Sequence, residues 1–325
     1  MLEKREIELL SPYACRSVDT KGREEEITPC TLRTEFQRDR DRIIHSKAFR
    51  RLMHKTQVFL SPEEDHYRTR LTHTLEVTQI ARTVARALGL NEDLTEAISL
   101  GHDLGHTPFG HAGERVLQKC YGKEFTHYRQ SLRVVEKLEK LNLTYEVKNG
   151  ILCHTNMVSD TLEGRIVRLA DRIAYMNHDI DDAERAGIMT TEDIPFHLRA
   201  ELGVTHGERI DFMVGSIIRN SMGKNEIAME ADVAALAEEL HSFLYEAVYK
   251  NPIAKGEEGK AEALLENLYY YYMDHPDKLP YEARMTAEEE GVARGVCDHL
   301  AGMTDRYAIN TYKRLFLPEV WSRGL

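Results

Sequence analysis

The sequence predicts an all-α protein. Apolar residues recur near helical spacing along most of its 325 residues, and no stretch alternates apolar and polar residues over the length of a strand. Gly89, Gly187 and the pairs Asn251-Pro252, His275-Pro276 and Leu279-Pro280 punctuate the periodic segments. There is no internal repeat and no low-complexity linker, so we expect a single all-α domain over 1–325.

Taken in order, residues 1–32 read as an irregular, partly acidic arm. From Thr34 the pattern turns helical, with Phe36, Ile43, Ile44, Ala48, Phe49 and Leu52 as its stripe. The same segment carries Arg33, Arg38, Arg40, Arg42, Arg50 and Arg51, which suits phosphate or interface contacts. Ser61-Pro62-Glu63-Glu64 has helix-start chemistry, and a helix beginning before Leu71 should run through Leu75, Thr78 and Ala85 until Gly89 stops it. Asn91 caps the next helix, striped by Leu94, Ala97 and Ile98. Segments 128–141 and 145–154 read as short helices. A longer one over Leu162–Ala186 places Asp171, Tyr175, Asp179 and Asp182 along one side. Beyond it, 208–221, 228–250 and 258–274 keep a helical pattern, and the run Tyr269–Tyr272 reads as packing.

Composition excludes some functions. The formal net charge of −11 argues against a general nucleic-acid binder, while leaving room for a locally positive pocket. No apolar run approaches a membrane span. The start, Met1 to Leu10, is too charged for a secretory signal. Five cysteines without CxxC spacing fit reduced thiols in a cytoplasmic protein.

The chemistry concentrates in Gly101–Glu114, where three histidines and two acids are interleaved with glycines and a proline. Gly and Pro force a sharp turn, which lets His102 and Asp103 converge on one point. Gly110 then reopens a helix on which His111 and Glu114 share a face. His73 and Asp171, from two other helices, complete a mixed set of imidazoles and carboxylates. Such a set suits Mn, Fe, Ni, Zn or Mg rather than a thiolate metal, and leaves positions for water and a phosphoryl oxygen.

The order His73, His102-Asp103, Asp171 resembles the signature of the HD superfamily of metal-dependent phosphohydrolases. Arg38–Ser46, Phe49–Leu52, Lys55–Phe59, His102–His106 with Phe109–His111, and Ala170–Tyr175 are similar to bacterial deoxyguanosine triphosphate triphosphohydrolases. The resemblance covers about 33–187, an HD core, followed by a C-terminal helical part over about 188–325. It implies an HD-domain helical fold with additional C-terminal helices. It also implies cleavage of a deoxynucleoside triphosphate to deoxynucleoside and triphosphate, with a divalent metal ion as cofactor. By the same resemblance His73, His102, Asp103 and Asp171 hold the metal, His111 is the catalytic histidine and Glu114 orients it. Asp103 sits beside the attacking water. Arg70, His106, His127, Arg172 and Tyr175 match triphosphate-binding positions, and Gln57 and Asp179 match positions around the sugar. Relatives assemble as oligomers, often hexamers. Where relatives read His-Asn-x-Gln-Ser, this chain has Tyr128 after His127. His45, His54, His66, His154 and His178 read as ordinary core or surface histidines. Two other functions stay open: another HD phosphohydrolase, such as a 5′-nucleotidase or cyclic-nucleotide phosphodiesterase, and a non-catalytic nucleotide sensor.

Overall fold

In the computed structural model, which describes residues 2–57 and 68–318, sixteen α-helices and no strand ladder are present among the described residues. They are α1 (Leu2–Leu9), α2 (Glu35–His45), α3 (Lys47–Arg51), α4 (Arg70–Ala87), α5 (Glu92–Gly101), α6 (Gly110–Cys120), α7 (His127–Arg133) and α8 (Tyr145–Cys153). There follow α9 (Leu162–Arg185), α10 (Phe196–Leu202), α11 (His206–Ser221), α12 (Ala231–Leu244), α13 (Pro252–Asp274), α14 (Tyr281–Glu290), α15 (Val292–Ala301) and α16 (Asp305–Phe316). None of these helices is long and apolar enough to cross a membrane. All five cysteines are free.

Local chemistry sets the helix starts. Thr34 and Gln37 form a reciprocal capping box on α2, and Asn91 accepts from the backbone N–H groups of Asp93 and Leu94 to start α5. The start expected at Ser61 lies outside the described residues; α4 itself is capped by Thr69. The arm differs from expectation. Its first residues form α1, because Glu6 finds internal acceptor work, taking the Ser17 N–H at 2.7 Å and the Ser17 hydroxyl at 2.8 Å.

Two apolar clusters hold the helices together. The larger packs α2, α4, α5, α8 and α9 around Phe36, Val84, Ile98, Ile151 and Ile173, and continues into α11 and α12. The smaller joins α6 to α13, α15 and α16 through Phe109, Leu117, Leu265, Tyr269, Tyr272 and Leu300. Each such side chain stabilises the fold by about 1.5–3 kcal/mol relative to exposure. Tyr269 and Tyr272 therefore pack, as expected, although Tyr270 is exposed. On α4 Thr78 and Ala85 are buried as expected, but Leu75 faces out, and Val77, Ile80, Ala81 and Val84 complete the buried face.

The arginine-rich segment is tied within the chain. Arg38 pairs with Glu35 at 2.8 Å, Arg40 with Asp41 at 2.9 Å, and Arg42 donates to the Leu141 carbonyl at 2.6 Å. Arg33 pairs with Asp41 and Arg51 with Glu139. These contacts fix α2 and α3 on their own chain, a use that the arginine count alone did not reveal.

Candidate active site

The site is built where the end of α5, the turn into α6 and the middles of α4 and α9 meet. At the turn the backbone departs from the helix: Phe109 and Gly110 both take left-handed conformations, with φ 61° and 58°. Gly105 is required by packing, since a Cβ there would fall 2.1 Å from the Ser131 backbone nitrogen. That close approach lets the Gly105 N–H donate to Ser131 Oγ at 2.9 Å and lays α7, headed by His127, against His106.

Donor atoms from three helices converge. Asp171 Oδ1 lies 3.1 Å from His73 Nε2 and 3.8 Å from His102 Nε2, and His102 Nε2 lies 3.7 Å from Asp103 Oδ2. The tautomers suit a cation. His102 Nδ1–H donates to the Ser99 carbonyl at 2.6 Å, leaving Nε2 a lone pair that is buried without a protein partner. His73 Nδ1 faces His178 Nδ1 at 3.4 Å, and His178 Nε2 stands 3.0 Å from Glu76, slightly off the line of a formed hydrogen bond. A proton on His178 Nε2, next to the carboxylate, makes His178 Nδ1 an acceptor for His73 and turns the His73 Nε2 lone pair inward. His73, His102 and Asp103 bring donor atoms within 4.8 Å of one another, and Asp171 lies beside both histidines, a donor set that fits a divalent ion. Burial alone would raise both carboxyls. The positive potential of the site, to which the Arg70 guanidinium contributes at Asp103, outweighs it and holds Asp103 well below its ordinary value and Asp171 at about 2.

Beside these donors lies a second group. Glu114 accepts from the His127 backbone N–H at 3.0 Å and from His127 Nδ1 at 3.2 Å, and lies 3.4 Å from His111 Nδ1. It therefore serves His127 at least as closely as His111. Burial lowers His127, but the Glu114 hydrogen bond and charge win and raise it. Its Nε2 lies 3.3 Å from His154 Nε2. His154 donates its own Nδ1–H to the Ile151 carbonyl at 2.7 Å, and burial beside His102 drives its pKa down to about 4. A neutral His154 thus offers His127 a lone pair. His106 is pushed well below its ordinary value by burial and by Arg70, so it too is neutral.

A cavity of about 440 Å³ opens over both groups. His73, Asp103, Asp171, His106, His111 and His127 face it, and Arg70 lines it while pairing with Asp103 at 2.6 Å. Gln57, Tyr175 and Asp179 line it further along; Gln57 Oε1 and Asp179 Oδ1 are buried with no protein partner. Burial, and then Asp182, raises Asp179 well above its ordinary value. Asp182 itself turns away to Arg68 at 3.2 Å. Arg172 is not brought into the cavity; its guanidinium pairs with Glu238 of α12.

Several lining residues were not anticipated: Arg115, Thr155, His241, Tyr245, Val248 and Glu258. His154 and His178, read from sequence as ordinary, are buried against the site. The spacing of His178, seven residues after Asp171 on the helix carrying that acid, was a usable signal. His154, at the end of α8, gave none. His45 and His54 are exposed, and His66 lies outside the described residues.

Comparison with known proteins agrees with this geometry. The HD domain matches residues 70–176, and the phosphohydrolase-associated domain matches residues 227–314. A deoxyguanosinetriphosphate triphosphohydrolase-like protein of Caldanaerobacter subterraneus subsp. tengcongensis is 58% identical over 98% of this chain and 96% of its own length. The chain belongs to this HD-domain family. A second member, from Desulfatibacillum aliphaticivorans, is 50% identical over 97% of both chains, and one from Clostridium tetani is 44% identical over 95% of this chain and 93% of its own. A solved structure of a hypothetical protein from Aquifex aeolicus, 19% identical, shares the fold with a TM-score of 0.50 over 86% of this chain and 71% of that one. The HD match spans His73 through Tyr175. The phosphohydrolase-associated match contains His241, Tyr245, Val248 and Glu258, so both parts of this phosphohydrolase-family chain line the cavity.

Proposed function

We propose that the protein hydrolyses deoxynucleoside triphosphates to the deoxynucleoside and inorganic triphosphate. The observation that carries this reading is one cavity faced both by the converging donors His73, Asp103 and Asp171 and by the exposed imidazole of His111. His73, His102, Asp103 and Asp171 would hold a divalent ion, which would supply Lewis-acid polarisation of the α-phosphoryl group and a lowered pKa for bound water. The chain's own side chains do the rest. Asp103 and Arg70 flank the attacked phosphorus. His127, kept cationic between Glu114 and His154, and neutral His106 face the phosphate oxygens. As water forms the new bond to the α-phosphorus, the bond to the 5′ oxygen breaks and its electron pair leaves on that oxygen. His111 is placed at the cavity to donate the proton that the oxygen takes up. Gln57 Oε1 and the carboxyl of Asp179, raised well above its ordinary value by burial, suit the sugar's 3′ hydroxyl, and Tyr175 closes the wall beside them.

Incubation with a panel of dNTPs and rNTPs in Mn²⁺, followed by chromatography of the products, tests the reading. Deoxynucleoside with triphosphate is the expected pair, with dNTPs cleaved well ahead of rNTPs. Monophosphate with pyrophosphate would make it a different phosphohydrolase, and no turnover would leave a nucleotide sensor.

A further inference from the structure

The turn that carries His106 and leads to His111 is gripped from behind by two buried charges that do not reach the cavity. Lys55, only 2% exposed, donates its ammonium hydrogens to the carbonyl of His106 and, at 2.9 Å, to the carbonyl of Ala301 at the end of α15. Asp305, the first residue of α16, accepts the Phe109 N–H on Oδ1 at 2.9 Å. On Oδ2 it accepts the Thr56 N–H at 3.0 Å and the Thr56 hydroxyl. Between those two grips Phe109 holds φ at 61°, a conformation an L residue adopts only when its surroundings impose it. The carbonyls of Thr56 and Gln57 in turn accept from Arg70 at 3.2 and 3.3 Å. One knot therefore sets the backbone of Gln57, the guanidinium on Asp103, and the turn between His106 and His111.

Burying an ammonium and a carboxylate is costly unless each is fully hydrogen-bonded. A plain packing role for this region would be met by apolar side chains such as those of the neighbouring α6–α13 contact. We propose that Lys55 and Asp305 are positioning residues for the reaction, fixing the 106–110 turn so that His106 and His111 meet the substrate in register. This rests on the phosphohydrolase reading of the cavity. It also gives the C-terminal helices α15 and α16 a part in the chemistry: they supply the Ala301 carbonyl and the Asp305 carboxylate that hold the turn.

The test compares Asp305→Asn with Asp39→Asn, two buried carboxylates each losing one acceptor. Asp39 accepts from Thr144 and Arg23 far from the turn. Asp305→Asn should lower kcat by about 10–100-fold, the scale of a misplaced catalytic group, with KM and bound Mn²⁺ per chain close to wild type. Amide exchange across 104–113 should speed up. Asp39→Asn should lower Tm while keeping wild-type kcat and wild-type exchange in that segment. Asp305→Glu, which keeps the charge and shifts it by one methylene, is read in the same way if the Asn variant does not fold. Unchanged kcat at lowered Tm, or a loss expressed in KM or metal content instead, would overturn the proposal. If the wild-type protein turns over no nucleotide, the reading of the cavity fails by itself. The exchange comparison then decides the tie: faster exchange in Asp305→Asn alone keeps it, and equal exchange in both variants removes it.

Discussion

Two sets of buried polar groups in this molecule are built on opposite principles. Around the arm, the acids are engaged by the chain: Asp39 accepts from the Thr144 N–H at 2.9 Å, its hydroxyl at 2.6 Å and Arg23, and Glu146 accepts from Thr20 at 2.6 Å and the Lys21 N–H at 2.8 Å. Around the cavity, His102 Nε2, His106 Nδ1, Gln57 Oε1 and Asp179 Oδ1 are equally buried yet have no protein partner. An unpaired buried polar atom costs on the order of 1–3 kcal/mol, and a fold retains several together only where something other than the chain completes them. The first set holds the fold; the second lies at or behind the cavity that we propose takes the nucleotide.

That contrast predicts opposite consequences of substitution. The largest effect belongs to the two acids we propose as metal ligands. Asp171→Ala or Asp103→Ala should abolish turnover and reduce bound metal per chain in parallel, because each removes a charged ligand from a set of four. Thermal unfolding should move by only a few degrees, since the lost carboxylate contributes more to the cation than to packing. Retained activity in either variant would remove that residue from the ligand set. Next comes His111→Ala. Its side chain is 69% exposed, so stability should be unaffected. In the proposed reaction its proton is needed as the bond to the 5′ oxygen breaks, so kcat should fall by on the order of 10²–10⁴. Metal content and nucleotide affinity, measured by calorimetry, should survive. A variant that binds nucleotide weakly but keeps kcat would make His111 a binding residue.

The same contrast explains what could be read from sequence. Helix periodicity and capping residues such as Asn91 depend on neighbours within one turn, so the helices over 92–101 and 162–185 were legible, and 206–221 to within two residues of its start. The dense His/Asp motif was legible for the same reason. What stayed hidden depends on pairs far apart in the chain. Nothing local says that Arg172 is taken by Glu238, that Lys55 reaches Ala301, or that His154 stands beside His127. On α4 the expected stripe was right at Thr78 and Ala85 but wrong at Leu75, which looks more apolar than the small residue Ala81 that the close approach of α5 and α9 selects. The helices after Asp274 carry short apolar patterns interrupted by Gly and Pro, and α14 to α16 were not separable by period alone.

The smallest effect tests the fold-holding set at its least satisfied member. Glu163, at the start of α9, accepts the N–H groups of Cys15 and Asn91 on Oε1, each at 3.0 Å, while its Oε2 is buried without a partner. Burial dominates those two hydrogen bonds and, with the charge of Glu6 nearby, raises the carboxyl from 4.5 to about 7. Between those two values the folded chain binds more proton than the unfolded chain, so stability falls as pH rises through the window. The contribution is fullest below about pH 4.5 and is lost above about pH 7. Glu163→Gln keeps the Oε1 acceptor and carries no charge, so it should not follow this slope. Against wild type, the variant should gain on the order of 1–3 kcal/mol between pH 5 and pH 8, read from denaturant unfolding at both values. Activity should be unchanged, because Glu163 lies more than two helical turns before Asp171. A difference between the two proteins that does not vary with pH would mean that Glu163 is already ionised in the fold and belongs with Asp39 among the engaged charges.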